Sequence, residues 1–228
     1  YEENSNYNVL LNRAYSMADT QSIAQYNGMI FDLDSHIILD PHGFIYEPNL
    51  HTVGLIHKEK GESFASVFDL KQEKELLRTP MLDLAESINY SSDGRHVAIA
   101  CKLDNGNWDG ALAYDVKTGE EVLRLETTQS PVLFAAISNN LNDFVAGTSN
   151  GEVFHMDATR TTSKILDVEG DIWEVRLHPR KRVVAVVESK NRSNFTFHFI
   201  NLETNEKKTL YSSPEEKVCY WNQCRFSP

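Results

Sequence analysis

The chain has 228 residues, long enough for one substantial core or two small domains, and its 41% hydrophobic and 24% charged residues show no compositional break. Those ordinary globular proportions exclude wholesale disorder and a fibrous protein, and no apolar run approaches the roughly 18 to 20 residues of a membrane-spanning helix. A formal net charge of −11 opposes sequence-independent binding to phosphate backbones and favours basic protein segments, so neither direct nucleic-acid binding nor membrane insertion is expected.

The first residues, Tyr1 to Tyr7, are polar and acidic, unlike a signal peptide. Asn8–Leu11, Met29–Asp32 and Ile37–Asp40 follow as short strand-like segments. Residues Val9 to Ala18 also admit a short helix, with apolar positions at Val9, Leu10, Ala14 and Met17.

From about Gly43 the chain repeats. An apolar residue followed by Ser, His or Glu and a polar turn recurs as Tyr46-Glu47-Pro48, Tyr90-Ser91-Ser92-Asp93-Gly94, Ile137-Ser138-Asn139-Asn140, Leu177-His178-Pro179 and Phe226-Ser227-Pro228. The steps between first residues are 44, 47, 40 and 49. Each of the first four copies is followed by a compact apolar stretch, Val53–Ile56, Val97–Ala100, Phe144–Gly147 and Val183–Val187, which reads as a second strand. A third strand then ends in an acid or amide at Asp69, Asp115, Asp157 and Asn201. Leu76–Arg78, Val122–Leu125, Ile165–Val168 and Thr209–Tyr211 close the units as fourth strands.

Four strands in about 45 residues is the period of a β-propeller blade. The expected fold is therefore all-β, a single propeller of about five four-stranded blades over residues 43–80, 84–126, 131–169, 171–213, and 217–228 joined to 7–40. Going from Phe226 through the termini to Tyr46 gives a step of 48, in line with a ring whose last blade is shared by both ends and leaves no open sheet edge. A fragment of a seven-bladed propeller is the alternative.

The units resemble WD repeats. Phe68-Asp69, Tyr114-Asp115 and Met156-Asp157 match that family's third-strand ending, and Ser91-Ser92-Asp93-Gly94, His178-Pro179 and Ser227-Pro228 match its first turn. The chain departs from the family in having its one Trp-Asp pair, Trp108-Asp109, between second and third strands, and in lacking the opening Gly-His pair. The resemblance implies an interaction scaffold or sensor, part of a larger protein or complex, that binds a protein or peptide on one propeller face, and the odd number of cysteines points to a reducing, cytoplasmic location.

In this architecture the loops from fourth to first strand and from second to third share one face. The aromatic and acidic residues that map there are Trp108, Asp109, Asp171, Trp173, Tyr220 and Trp221, and they are the candidate partner-binding residues. Trp and Tyr give large contact area at low entropic cost, and the neighbouring acids suit a basic peptide.

No phosphate loop, nucleophile elbow or His-Glu-x-x-His motif occurs, and the eight histidines have no ligand spacing, so no catalytic residue, metal or cofactor is expected. The alternative is a five-bladed propeller enzyme or lectin acting on carbohydrate, with acids at the funnel mouth drawn from Asp83, Glu86, Asp171 and Glu216. Asp69, Asp115 and Asp157 are expected to cap the turns that follow them, and His178 to be a turn residue. Cys101, Cys219 and Cys224 form neither a metal set nor a disulfide framework, and the sequons at Asn89, Asn191 and Asn194 only weakly oppose an intracellular location.

Overall fold

Alternation of side chains along a strand sends successive residues to opposite faces, so a strand with apolar residues at every position must be buried on both. The middle of the strand His96–Leu103 is such a stretch: Val97, Ala98, Ile99, Ala100 and Cys101 are all buried. In the computed structural model the described residues are 44–47, 52–59, 62–69, 72, 74–80, 82, 84–103, 108–127, 130–190 and 194–211. The expected fifth blade, 217–228 with 7–40, lies outside them.

Among the described residues there are sixteen strands in four sheets. The first holds β1 (Phe44–Glu47), β2 (Thr52–Glu59), β3 (Glu62–Asp69) and β4 (Lys74–Arg78). The second holds β5 (Leu84–Tyr90), β6 (His96–Leu103), β7 (Trp108–Asp115) and β8 (Glu121–Thr127). In the third are β9 (Val132–Ile137), β10 (Phe144–Thr148), β11 (Glu152–Met156) and β12 (Thr162–Asp167), and in the fourth β13 (Asp171–Leu177), β14 (Val183–Lys190), β15 (Asn194–Asn201) and β16 (Lys207–Tyr211). Every sheet is an antiparallel meander in chain order, which is the build of a propeller blade.

The sheets stack face to face, and the alternation shows how. Val97, Ile99 and Cys101 of β6 pack with Ile56, Ala65, Val67 and Leu77 of the first sheet. Their neighbours Ala98 and Ala100 pack the other way, against Val132, Ala135, Phe144 and Ala146 of the third. Val145 and Val153 in turn face Ile172, Val175, Val184 and Val186 of the fourth. Small residues set the closest approach: a Cβ on Gly147 would overlap Ile172 Cγ2.

The recurrent turn residues form two kinds of hydrogen bond. Those at third-strand ends accept backbone N–H groups of the following turn. Asp69 Oδ1 takes Gln72 N at 2.9 Å, Asp115 Oδ1 takes Lys117 N and Thr118 N at 2.8 Å each, Asp157 Oδ1 takes Thr159 N at 2.8 Å, and Asn201 Oδ1 takes Glu203 N at 2.9 Å. Those between first and second strands close the neighbouring loop at the same end: Ser91 Oγ accepts His96 N at 3.0 Å, Ser138 Oγ accepts Asp143 N at 2.9 Å, and His178 Nδ1 accepts Arg180 N at 3.0 Å.

Further polar bonds tie one sheet to the next. Asn139 Oδ1 in the third sheet's first turn accepts Asp93 N of the second at 3.1 Å. Asp143 lies 2.9 Å from His155 Nε2 of its own sheet and receives Arg182 Nη2 of the fourth at 2.6 Å. Asn89 of β5 donates to the Ala135 carbonyl of β9 at 2.9 Å and accepts from Arg176 of β13, so one buried amide joins the first strands of three sheets. Asn89 is therefore a framework residue and its sequon is not displayed for glycosylation.

Candidate functional site

In an antiparallel meander the first and third strands of a sheet start at the same end. Asp171 and Trp173, at the start of β13, thus share an end with Trp108 and Asp109, at the start of β7. Trp108 and Asp109 belong to the strand itself, registered with Leu103 and Lys102, because the β6–β7 ladder extends past the polar turn expected to hold them. Tyr220 and Trp221 lie outside the described residues, as do Asp83 and Glu216.

Strand β13 is irregular at the point that matters. Ile172 pairs with Glu188 and Glu174 with Val187, leaving Trp173 as an extra residue in a β-bulge. Equivalent shifts fall at Glu86 in β5 and Leu133 in β9, so each of these first strands is bulged a few residues from its start. A bulge bends its strand and re-aims a side chain. Trp173 is half-buried, with its ring edge-on to Phe195 at 5.6 Å between centroids and 75° between planes. Since β14 lies between β13 and β15, this contact carries the Trp173 side chain across β14.

Beneath that crossing runs one cross-strand row. Asp171 is registered with Ser189, and Ser189 with Phe195, so the three side chains share a face. Ser189 is 2% exposed and its hydroxyl has no hydrogen-bond partner among the described residues. Asp171 is exposed, and among the described residues no hydrogen bond or ion pair engages it.

The turn that presents Asp171 is held from below. Gly170 N donates to Glu188 Oε1 at 3.0 Å, and Glu188 Oε2 lies 3.0 Å from His198 Nε2, whose Nδ1 is 3.1 Å from Thr209 Oγ1. A carboxylate on β14, an imidazole on β15 and a hydroxyl on β16 thus pass a hydrogen-bonded chain across the sheet to the loop before Asp171. A Cβ on Gly170 would sit 2.6 Å from Ser189 O and 2.8 Å from Glu188 Cγ, so only glycine allows this approach.

Nearby charges are partly neutralised. Glu169 pairs with Lys190 at 2.9 Å, and Lys164 with Asp167 at 2.7 Å and Glu152 at 3.0 Å. Glu174 is buried and holds Arg176 at 2.7 Å. On the other end of the sheets, burial raises the Asp143 carboxyl, but the hydrogen bonds from His155 and Arg182 outweigh it and bring its pKa to about 2. Among the described residues no group of three or more His, Cys, Asp or Glu could hold a metal ion, and no helix is long and apolar enough to cross a membrane.

Sequence reasoning brought out Asp171 and Trp173 and missed Ser189, Phe195, Glu188 and His198. The signal for Phe195 was the alternation Phe195-Thr196-Phe197-His198-Phe199, which places three aromatics on one face and a lone histidine on the other.

Neither a known protein family nor a curated protein matches the chain. Its fold is similar to solved propeller structures. Kuenenia stuttgartiensis hydrazine synthase matches with a TM-score of 0.58 at 12% identity, over 82% of this chain and 54% of that one. The β-propeller domain of Myceliophteria thermophila Cps50 (Swd1) matches with 0.57 at 12%, over 76% and 56%, and U3-55K with 0.56 at 9%, over 75% and 51%. The match spans about half the length of each of these chains. At such identities the likeness defines a class, the β-propellers, and nothing finer.

Proposed function

We propose that the chain is a WD-repeat-like propeller serving as a non-catalytic, cytoplasmic interaction scaffold or sensor within a larger protein or complex. It binds a protein or peptide of basic character at the end that carries Trp108, Asp109, Asp171 and Trp173, with Tyr220 and Trp221 added by a fifth blade from residues 217–228 and 7–40. The observation that carries this reading is Asp171 itself. The carboxylates of Asp69, Asp115, Asp143, Asp157, Glu174 and Glu188 are all occupied in turns or in ties within and between sheets, whereas Asp171 is exposed beside a half-buried tryptophan. An unpaired carboxylate next to an aromatic anchor is the pattern of a binding surface for cationic groups.

Alanine at Trp108, Asp171 and Trp173 together tests the reading. The triple variant should lose retention of a basic partner while keeping its circular dichroism, and unchanged retention would contradict the assignment of this face. Turnover of a glycoside library that vanishes in Asp171→Asn would replace the scaffold reading with the carbohydrate one.

A further inference from the structure

Resting on that reading, we propose that Asp171, Trp173 and Ser189, backed by Phe195, form a subsite for one arginine side chain of the partner. Three features argue for a cation and then for a guanidinium. Asp171 is an exposed carboxylate without a partner among the described residues, and it stands two residues before the bulged Trp173. Trp173 packs T-shaped with Phe195 and is only half-buried, so part of its ring is open for a cation to stack on. Ser189 Oγ, buried between Asp171 and Phe195 in the same row, finds no hydrogen-bond partner among the described residues, a cost that an incoming N–H group would remove.

The spacing selects arginine over lysine. Opposite side chains on adjacent strands stand about 5 Å apart at Cβ, a separation that a planar fork of five N–H donors can bridge. Two donors meet the Asp171 carboxylate, the plane lies on Trp173, and a further N–H turns along the row to Ser189 Oγ. An ammonium is a compact, strongly hydrated charge and satisfies one acceptor without stacking. The loop carrying the carboxylate is fixed beforehand, because Gly170 is bonded to buried Glu188, so little ordering cost falls on binding.

The test uses the whole chain and three short Gly/Ser peptides that differ at one central residue, arginine, lysine or citrulline. Binding is read by NMR from the Trp173 indole N–H, assigned with Trp173→Phe. The arginine peptide should bind about tenfold tighter than the lysine peptide, and citrulline should show no saturation at millimolar concentration. Asp171→Asn should weaken the arginine peptide about tenfold, while Ser189→Ala should weaken it a few fold and leave the free protein's denaturation midpoint unchanged or raised, since it removes a buried hydroxyl without a partner among the described residues. Asp167→Asn, at the same end but paired with Lys164, should change nothing.

Equal affinity for arginine and lysine, or an arginine affinity untouched by Asp171→Asn, overturns the subsite. If basic peptides still bind and the loss appears instead in Asp109→Asn, the broader reading survives without it. If no basic peptide binds, both fall.

Discussion

Gly170 donates its backbone N–H to Glu188 Oε1 at 3.0 Å, joining the turn before Asp171 to a carboxylate that is 3% exposed. The bond couples a surface loop to the sheet interior, since Glu188 is itself held by His198 and His198 by Thr209. Removing the middle of such a chain leaves a donor and an imidazole stranded. Glu188→Ala should lower stability by about 2–3 kcal/mol, seen as a shift in the urea midpoint at unchanged slope. Thr209→Val, at the exposed end, should cost under about 1 kcal/mol.

Asn89 gives a second expectation, of two parts. Its amide joins β5, β9 and β13, so Asn89→Ala should destabilise the chain by about 1–3 kcal/mol in chemical denaturation. Because the amide nitrogen is spent on the Ala135 carbonyl, expression through a glycosylating secretory route should leave Asn89 unmodified, which peptide mass spectrometry would establish.

Acid should unpick the tie between the third and fourth sheets. Asp143 has a folded-state pKa of about 2, below the roughly 3.9 of an unfolded aspartate. A depressed carboxyl contributes stability that is present above its unfolded pKa and is lost as pH falls through the folded one. Between about pH 4 and pH 2 this group should withdraw on the order of 1–2 kcal/mol, allowing for partial solvent screening of Arg182. Asp143→Asn should flatten that part of the stability profile, measured as urea midpoints across the range.

The turn acids are separable from the site. Asp115→Ala removes an acceptor for two backbone N–H groups in an exposed turn and should cost about 1 kcal/mol, with peptide binding intact. Thermal denaturation alongside a binding isotherm would show the two effects apart.

Much of this was legible in the sequence for a physical reason. A blade is local: its strands follow one another in chain order, so compact apolar stretches such as Val97–Ala100 and turn acids such as Asp69 and Asp115 carry their own signal. The bulges at Glu86, Leu133 and Trp173 were not legible, because one extra residue in an inner strand looks like any break in alternation. Bonds between sheets were hidden too. Asn89 read as a sequon, and Asp143 drew no reading at all, since their partners Arg176 and Arg182 lie far along the chain. For the site, composition and loop position brought out Asp171 and Trp173, but Ser189 and Phe195 join them only through cross-strand register.

The central claim is that this propeller binds basic partners at the end bearing Trp108 and Asp171. Backbone amide hydrogen exchange, with and without an arginine-rich peptide at saturation, tests it most directly. Protection should rise at residues 168–173 and 108–110 and stay unchanged in the opposite turns at 138–143 and 178–182. Protection confined to those opposite turns, or none at all, would contradict it.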